Sequence, residues 1–134
     1  PSKENTVLKG YSVRGHNKPP LEMNEFMAAG AIRSTVDDLL KFLKIHIGNQ
    51  NSGYLLTHQA THTISKDVRI GLGWVLEDDI IWHNGSTKGF SSYLGFNKKQ
   101  QTGVVILSNY RSSILATNPL EMGKNILQLL QNSL

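Results

Sequence analysis

Residues 70–109, IGLGWVLEDDIIWHNGSTKGFSSYLGFNKKQQTGVVILSN, decide the fold of this chain. Ile70, Leu72, Trp74 and Leu76 alternate with Gly71, Gly73 and Val75, the period of two that marks a strand. The acidic run Glu77-Asp78-Asp79 reads as a turn into a second strand, Ile80-Ile81-Trp82-His83. Phe90, Ser92, Leu94 and Phe96 alternate along a third. After a polar turn at 97–102, Val104-Val105-Ile106-Leu107 is apolar without interruption, as in a strand covered on both faces.

Working outward, the period lengthens. Val36, Leu39, Leu40, Leu43 and Ile47 recur at helical spacing and predict a helix over roughly 35–47. Ser34 or Thr35 supplies the cap, and Asp37 and Asp38 suit the positive end of the helix dipole. Lys41, Lys44 and His46 suit its negative end, with Gly48 expected to end it in the left-handed conformation. Thr57 reads as the cap of a short second helix over about 58–64. Asn118 with Pro119 opens a last helix over 118–134, whose apolar face is Leu120, Ile126, Leu127, Leu130 and Leu134. Residues 1–30, with Gly10, Gly15 and Pro19-Pro20, read mostly as loop. The sequence therefore divides into loop at 1–30, helical at 34–64, a strand meander at 70–109 and a C-terminal helix at 118–134. Grouped rather than alternating elements place it in the α+β class, as an antiparallel meander packed with flanking helices.

Composition narrows the function. The 134 residues are 39% hydrophobic and 18% charged, enough apolar material for one core and too little charge for a disordered chain. No run of about 18 apolar residues is present, and residues 1–5 resemble no signal peptide. The absence of an initiating Met suggests a fragment or processed product. Without Cys, disulfides, thiolate zinc sites and Cys nucleophiles drop out together. The net charge of +4 gathers in residues 1–20, where Lys3, Lys9, Arg14 and Lys18 face Glu4. Basic residues interleaved with aromatics are lacking, so no nucleic-acid partner is expected.

Two stretches carry polar groups that chemistry uses. His58 and His62, four residues apart, would share one face of a helix and admit a zinc hydrolase. The position after the first His is Gln59 rather than a general-base Glu, and no third ligand follows at a suitable spacing. Two surface histidines account for them better, and no metal is expected. The denser stretch is Trp82-His83-Asn84-Gly85-Ser86-Thr87-Lys88-Gly89-Phe90, where polar and Gly residues crowd the end of an apolar strand. Asn84-Gly85 by itself would be an ordinary hairpin turn.

These stretches share a family likeness. Gly30-Ala31-Ile32-Arg33-Ser34-Thr35-Val36-Asp37-Asp38-Leu39-Leu40-Lys41-Phe42 resembles the "GGLYSTAEDLAKF" stretch of the class C serine β-lactamase and penicillin-binding-protein-like family. Gly71-Leu72-Gly73-Trp74 resembles its "YGLGW" strand. His83, Gly85, Thr87, Gly89-Phe90 and Ser92 resemble "HxGxTxGFxS", and residues 103–109 resemble "GVVVLTN". Gly10-Tyr11 falls where the family often has a "GY" pair. The likeness covers nearly the whole chain in order.

The resemblance implies the C-terminal part of a β-lactamase/transpeptidase-like fold, extended through Asn84-Gly85 and turning near Thr87-Lys88-Gly89. It implies acyl transfer, with a Ser of an S-x-x-K motif attacking an amide or ester carbonyl beside a Y/S-x-N motif. His83 would line the site as a donor or cation, and the backbone N–H of Ser86 would form half of the oxyanion hole. Asn84, Gly85 and Thr87 would flank substrate, Gly85 because backbone approaches it closely there. No Ser here has Lys three positions later, and no Tyr or Ser has Asn two positions later. The chain alone is therefore expected to be inactive, because an acyl-enzyme needs its nucleophile.

Substrates consistent with the resemblance are a β-lactam, a D-Ala-D-Ala peptide or a small ester or amide, with no cofactor. His rather than Lys at position 83 favours a peptidase or esterase at least as much as a β-lactamase. The expected partners are such a substrate, the N-terminal half of the same domain and, through an exposed strand at 104–107, a second copy. The location implied is periplasmic, secreted or cell envelope. The alternative is a non-catalytic binding or interaction module with the same fold.

Overall fold

The computed structural model describes residues 8–21, 27–48, 51–113 and 118–133. Along the chain the elements are β1 (Gly10–Tyr11), β2 (Asn17–Lys18), α1 (Met27–Gly30), α2 (Val36–Gly48) and α3 (Ser52–Thr57). They continue as β3 (His62–Thr63), β4 (Val68–Ile70), β5 (Val75–Glu77), β6 (Ile80–Ser86), β7 (Ser91–Asn97), β8 (Thr102–Ser108) and α4 (Pro119–Ser133). Strands β3 to β8 form one antiparallel sheet in which spatial order is sequence order.

The meander has a helix on each face, as the two apolar faces of its central strands demand. On one face Leu76 and Phe96, with Trp74 just before β5, pack against Leu43 and Ile47 of α2, joined by Ile81, Leu94 and Val105. On the other, Ile80, Trp82, Tyr93 and Val104 pack against Leu127 of α4, joined by Leu120 and Leu130. The uninterrupted apolar run in β8 has this cause: Val104 and Ile106 serve one core and Val105 the other.

Both long helices start as their sequences predict. Thr35 rather than Ser34 caps α2, its Oγ1 accepting from Asp38 N at 3.2 Å. Asn118 caps α4, its Oδ1 accepting from Leu120 N at 3.1 Å. Their buried stripes are narrower than the apolar patterns. Val36 and Leu40 are exposed, while His46 is buried beside Leu43 and Ile47. Ile126 is partly exposed too, and Leu134 lies outside the described residues. Gly48 closes α2 as a helical residue and not in the left-handed region.

Two expectations need correction. Residues 70–76 are not one strand. β4 and β5 are antiparallel neighbours, joined by a turn in which Gly71 N donates to Trp74 O at 2.8 Å and Gly73 takes φ +77°. A side chain at Gly71 would overlap the Thr57 carbonyl, so packing against α3 sets this bend and local pattern does not reveal it. Residues 58–64 are not a helix, and 34–64 is not helical throughout. Asn51 caps α3, its Oδ1 accepting from Gly53 N at 2.8 Å, and Thr57 is the last helical residue. Beyond it, Thr61 N donates to Ile70 O at 2.7 Å and Ile64 N to Val68 O at 2.9 Å, which draws the chain into the sheet. Within the stretch 1–30, expected to be mostly loop, the described residues hold the short β1–β2 hairpin and α1. Residues 1–7 and 22–26 of that stretch lie outside the described residues.

The hairpin docks beside the turn between β6 and β7. Tyr11 N lies 3.1 Å from Gly89 O and 2.9 Å from Asn109 O, and Arg111 N donates to Tyr11 O at 2.9 Å. Gly10 permits this approach, because a side chain there would overlap the Phe90 ring. Deeper in the sheet, Tyr93 lies in a notch cut by Gly95 and Gly123, where a methyl on either glycine would overlap its ring. Glu77 ties the neighbouring layer together by accepting from Trp82 Nε1 at 2.9 Å and pairing with Lys124 of α4.

Candidate functional site

The site begins with unequal strand lengths. β5 pairs with β6 only from Val75 opposite Trp82 to Glu77 opposite Ile80. β6 continues to Ser86, paired on its other side with β7 all the way. Residues His83, Asn84, Gly85 and Ser86 thus form a half-strand with one open edge among the described residues, and all four are exposed.

Ladder geometry says which backbone groups point into that opening. Thr87 N donates to Phe90 O at 2.8 Å, which fixes the alternation of hydrogen-bonded pairs along β6 and β7. Residues 83 and 85 therefore direct their N–H and C=O groups at β7. Asn84 and Ser86 direct theirs at the open edge. A peptide-like amide laid along it would meet a donor and an acceptor from Asn84 and a donor from Ser86.

Side chains alternate in the same way. His83 lies opposite Leu94 and Gly85 opposite Ser92, on the α2 face. Asn84 and Ser86 lie opposite Tyr93 and Ser91, on the α4 face. The five residues singled out from sequence are therefore contiguous yet divided between the two faces and the turn. His83 and the bare backbone of Gly85 share one face, while Asn84 and Ser86 reach the open edge through their backbones. A Cβ on Gly85 would stand 3.1 Å from Ser92 Oγ, so Ser92 belongs to this surface as well. The alternation of 90–96 contains that signal, since it puts Ser92 in register with Gly85.

Thr87 plays a local part. Its hydroxyl oxygen accepts from Phe90 N at 3.2 Å and Gly89 N at 3.5 Å, closing the turn that follows Ser86. The chain stays extended through Asn84-Gly85 and turns at 87–90, and Asn84-Gly85 is not a hairpin turn.

His58 and His62 do not share a helix face. His62 is in β3, and His58 follows α3 with its Nε2 2.8 Å from Nδ1 of His46. Among the described residues no three His, Asp or Glu side chains group around a metal position. A polar cavity of about 280 Å³ lies at the opposite end of β6, between Asp78, Asp79, Asn97, Lys99 and Gln128. It contains none of the residues singled out from sequence.

Comparison with known proteins agrees with this architecture. A family model described as Beta-lactamase matches residues 2–121. The chain is similar to "Protein flp" of Staphylococcus aureus, for example strains NCTC 8325 / PS 47 and COL, with 26% identity over 115 residues. That match covers 77% of this chain and 23% of the relative, so the chain spans about a quarter of the relative's length. Among solved structures, a class C beta-lactamase superposes with a TM-score of 0.73 at 19% identity, covering 94% of this chain and 43% of that one. A class C beta-lactamase in complex with cefoxitin gives 0.72 at 18% identity, covering 94% and 44%. At such identities the structural likeness concerns the fold.

Proposed function

The chain belongs to the beta-lactamase family, and we propose that it supplies the substrate-binding edge and half of the oxyanion hole of a serine acyl-transfer site. The open half-strand His83–Ser86 carries this reading. An acyl group seated along it would place its carbonyl oxygen against the Ser86 N–H, while His83 offers a ring nitrogen from the α2 face. A donor of the first kind is worth ~10²–10³ in rate, because it meets charge that develops only as the carbonyl becomes tetrahedral.

The nucleophile of such a reaction is not among the S-x-x-K candidates of these 134 residues, since there are none. It has to be presented to the open edge by other residues, and these 134 alone are inactive in this reading. The substrate is a β-lactam, a D-Ala-D-Ala peptide or a small ester or amide, handled outside the cytoplasm or in the cell envelope. Among the described residues no helix is long and apolar enough to cross a membrane.

The test uses the natural full-length gene product, labelled with a fluorescent penicillin and with a fluorophosphonate, adducts being mapped by mass spectrometry. An adduct on a serine outside this chain, formed ~10²-fold or more slowly in His83→Ala, is the expected result. Labelling by the penicillin points to a cell-wall peptidase or β-lactamase, resistance following only where the adduct is hydrolysed, and labelling by the fluorophosphonate alone points to an esterase. No adduct with either probe overturns the proposal in favour of a non-catalytic binding or interaction module with the same fold.

A further inference from the structure

Just beyond Ser86 the surface changes character. Gly10 pairs with Lys18, Tyr11 meets Gly89 and Asn109, and Asn109 Nδ2 donates to Lys9 O at 3.1 Å. These contacts bring the backbones of Lys9, Lys18, Lys88 and Arg111 to one junction, with Arg14 on the adjoining turn of the β1–β2 hairpin. Described residues 8–21, 83–92 and 108–113 contain no Asp or Glu. Five cations therefore collect in a chain whose whole net charge is +4, and none of them belongs to an ion pair of the described residues.

Apolar groups stand exposed among them. Leu8 is 71% exposed, Val13 at the hairpin turn 45% and Leu21 37%. Tyr110, 47% exposed, stacks on Tyr11 with ring centroids 5.1 Å apart. A soluble polyanion would be matched by the cations alone and gains nothing from Leu8, Val13 and Leu21. A lipid interface takes up all three kinds of group: cations at the phosphates, tyrosines at headgroup depth, and short apolar side chains below.

We propose that this face, built from the β1–β2 hairpin, the turn at 87–90 and residues 109–111, binds the surface of an anionic lipid bilayer. It does so without spanning it, and the proposal is independent of any acyl-transfer chemistry. Docking there sets the open edge of β6 close to the headgroups, because Lys88 is two residues beyond Ser86.

The experiment is co-sedimentation of the natural gene product with large vesicles of phosphatidylcholine containing about a third phosphatidylglycerol, beside pure phosphatidylcholine. Binding to the anionic vesicles alone, released by high salt, is expected. The quadruple variant K9Q/K18Q/K88Q/R111Q should lose on the order of a hundredfold in partitioning, with its circular dichroism unchanged. Val13→Ser should lose several-fold at unchanged charge. Equal binding to both vesicles, or none to either, overturns the proposal. So does binding to soluble polyphosphate that competes off the vesicles fully and ignores Val13→Ser, which would assign the face to a dissolved polyanion.

Discussion

At the scale of single residues, Tyr93 shows how tightly this sheet is bound to α4. Its ring is fully buried in the notch left by Gly95 and Gly123. Its hydroxyl is buried without a hydrogen-bond partner among the described residues. Burial, with Glu77 adding to it, pushes the phenol well above its usual range, so the hydroxyl stays protonated. Two opposite outcomes follow from one site. Gly123→Ala should destabilise by ~1–3 kcal/mol or more, since an extra methyl in a packed core forces backbone to move. Tyr93→Phe should cost nothing, or stabilise by up to ~1 kcal/mol, because it removes a polar group that burial leaves unsatisfied. Urea unfolding of the two variants checks both, and a large loss for Tyr93→Phe would mean that the hydroxyl has a partner.

At the scale of elements, α2 and α3 meet the sheet through two histidines. His46 and His58 contact each other at 2.8 Å inside a ring of Phe42, Tyr54, Trp74 and Phe96. Burial, then the His46 ring and the Lys98 ammonium, pulls His58 from 6.5 down to about 4, and burial and Lys98 lower His46 too. Both rings thus take up a proton less readily in the fold than in the unfolded chain. As pH drops below about 6.5 the unfolded chain binds protons that the folded chain refuses, so stability is complete above that pH and declines toward pH 4. The urea midpoint should fall over this window, and His58→Phe should flatten the fall. An unchanged slope in His58→Phe would contradict it. Sequence periodicity revealed α2, α4 and β6 to β8, because each buries a regular stripe on a neighbour. It missed the bend at Gly71–Trp74, which depends on a carbonyl of α3, and it missed β1 and β2, which are too short to have a period. His83–Ser86 was legible as a cluster of polar residues. Its open edge was not, because that edge exists only where β5 stops at Val75.

At the scale of the whole molecule, the sheet ends at β8, which has no partner strand on its outer side among the described residues. A strand of that kind, apolar through Val104–Leu107, is a template for another chain. The 134 residues by themselves should therefore self-associate, or be held by the rest of their domain. Sedimentation velocity, with hydrogen exchange at residues 104–107, reads this directly, and a monomer whose amides there exchange freely would refute it. The order of the sheet bears also on how the chain assembles. Each of its ladders joins sequence neighbours, so strands can zip up in the sequence in which a ribosome releases them. The β1–β2 hairpin is the exception, because the hydrogen bond from Asn109 Nδ2 to Lys9 O spans 100 residues. Made early, that hairpin waits undocked until residues 109–111 have emerged. A segment synthesised about 100 residues ahead of its partner is thus slow to find its place, and for that interval it is exposed to chaperones and to anything else that binds it.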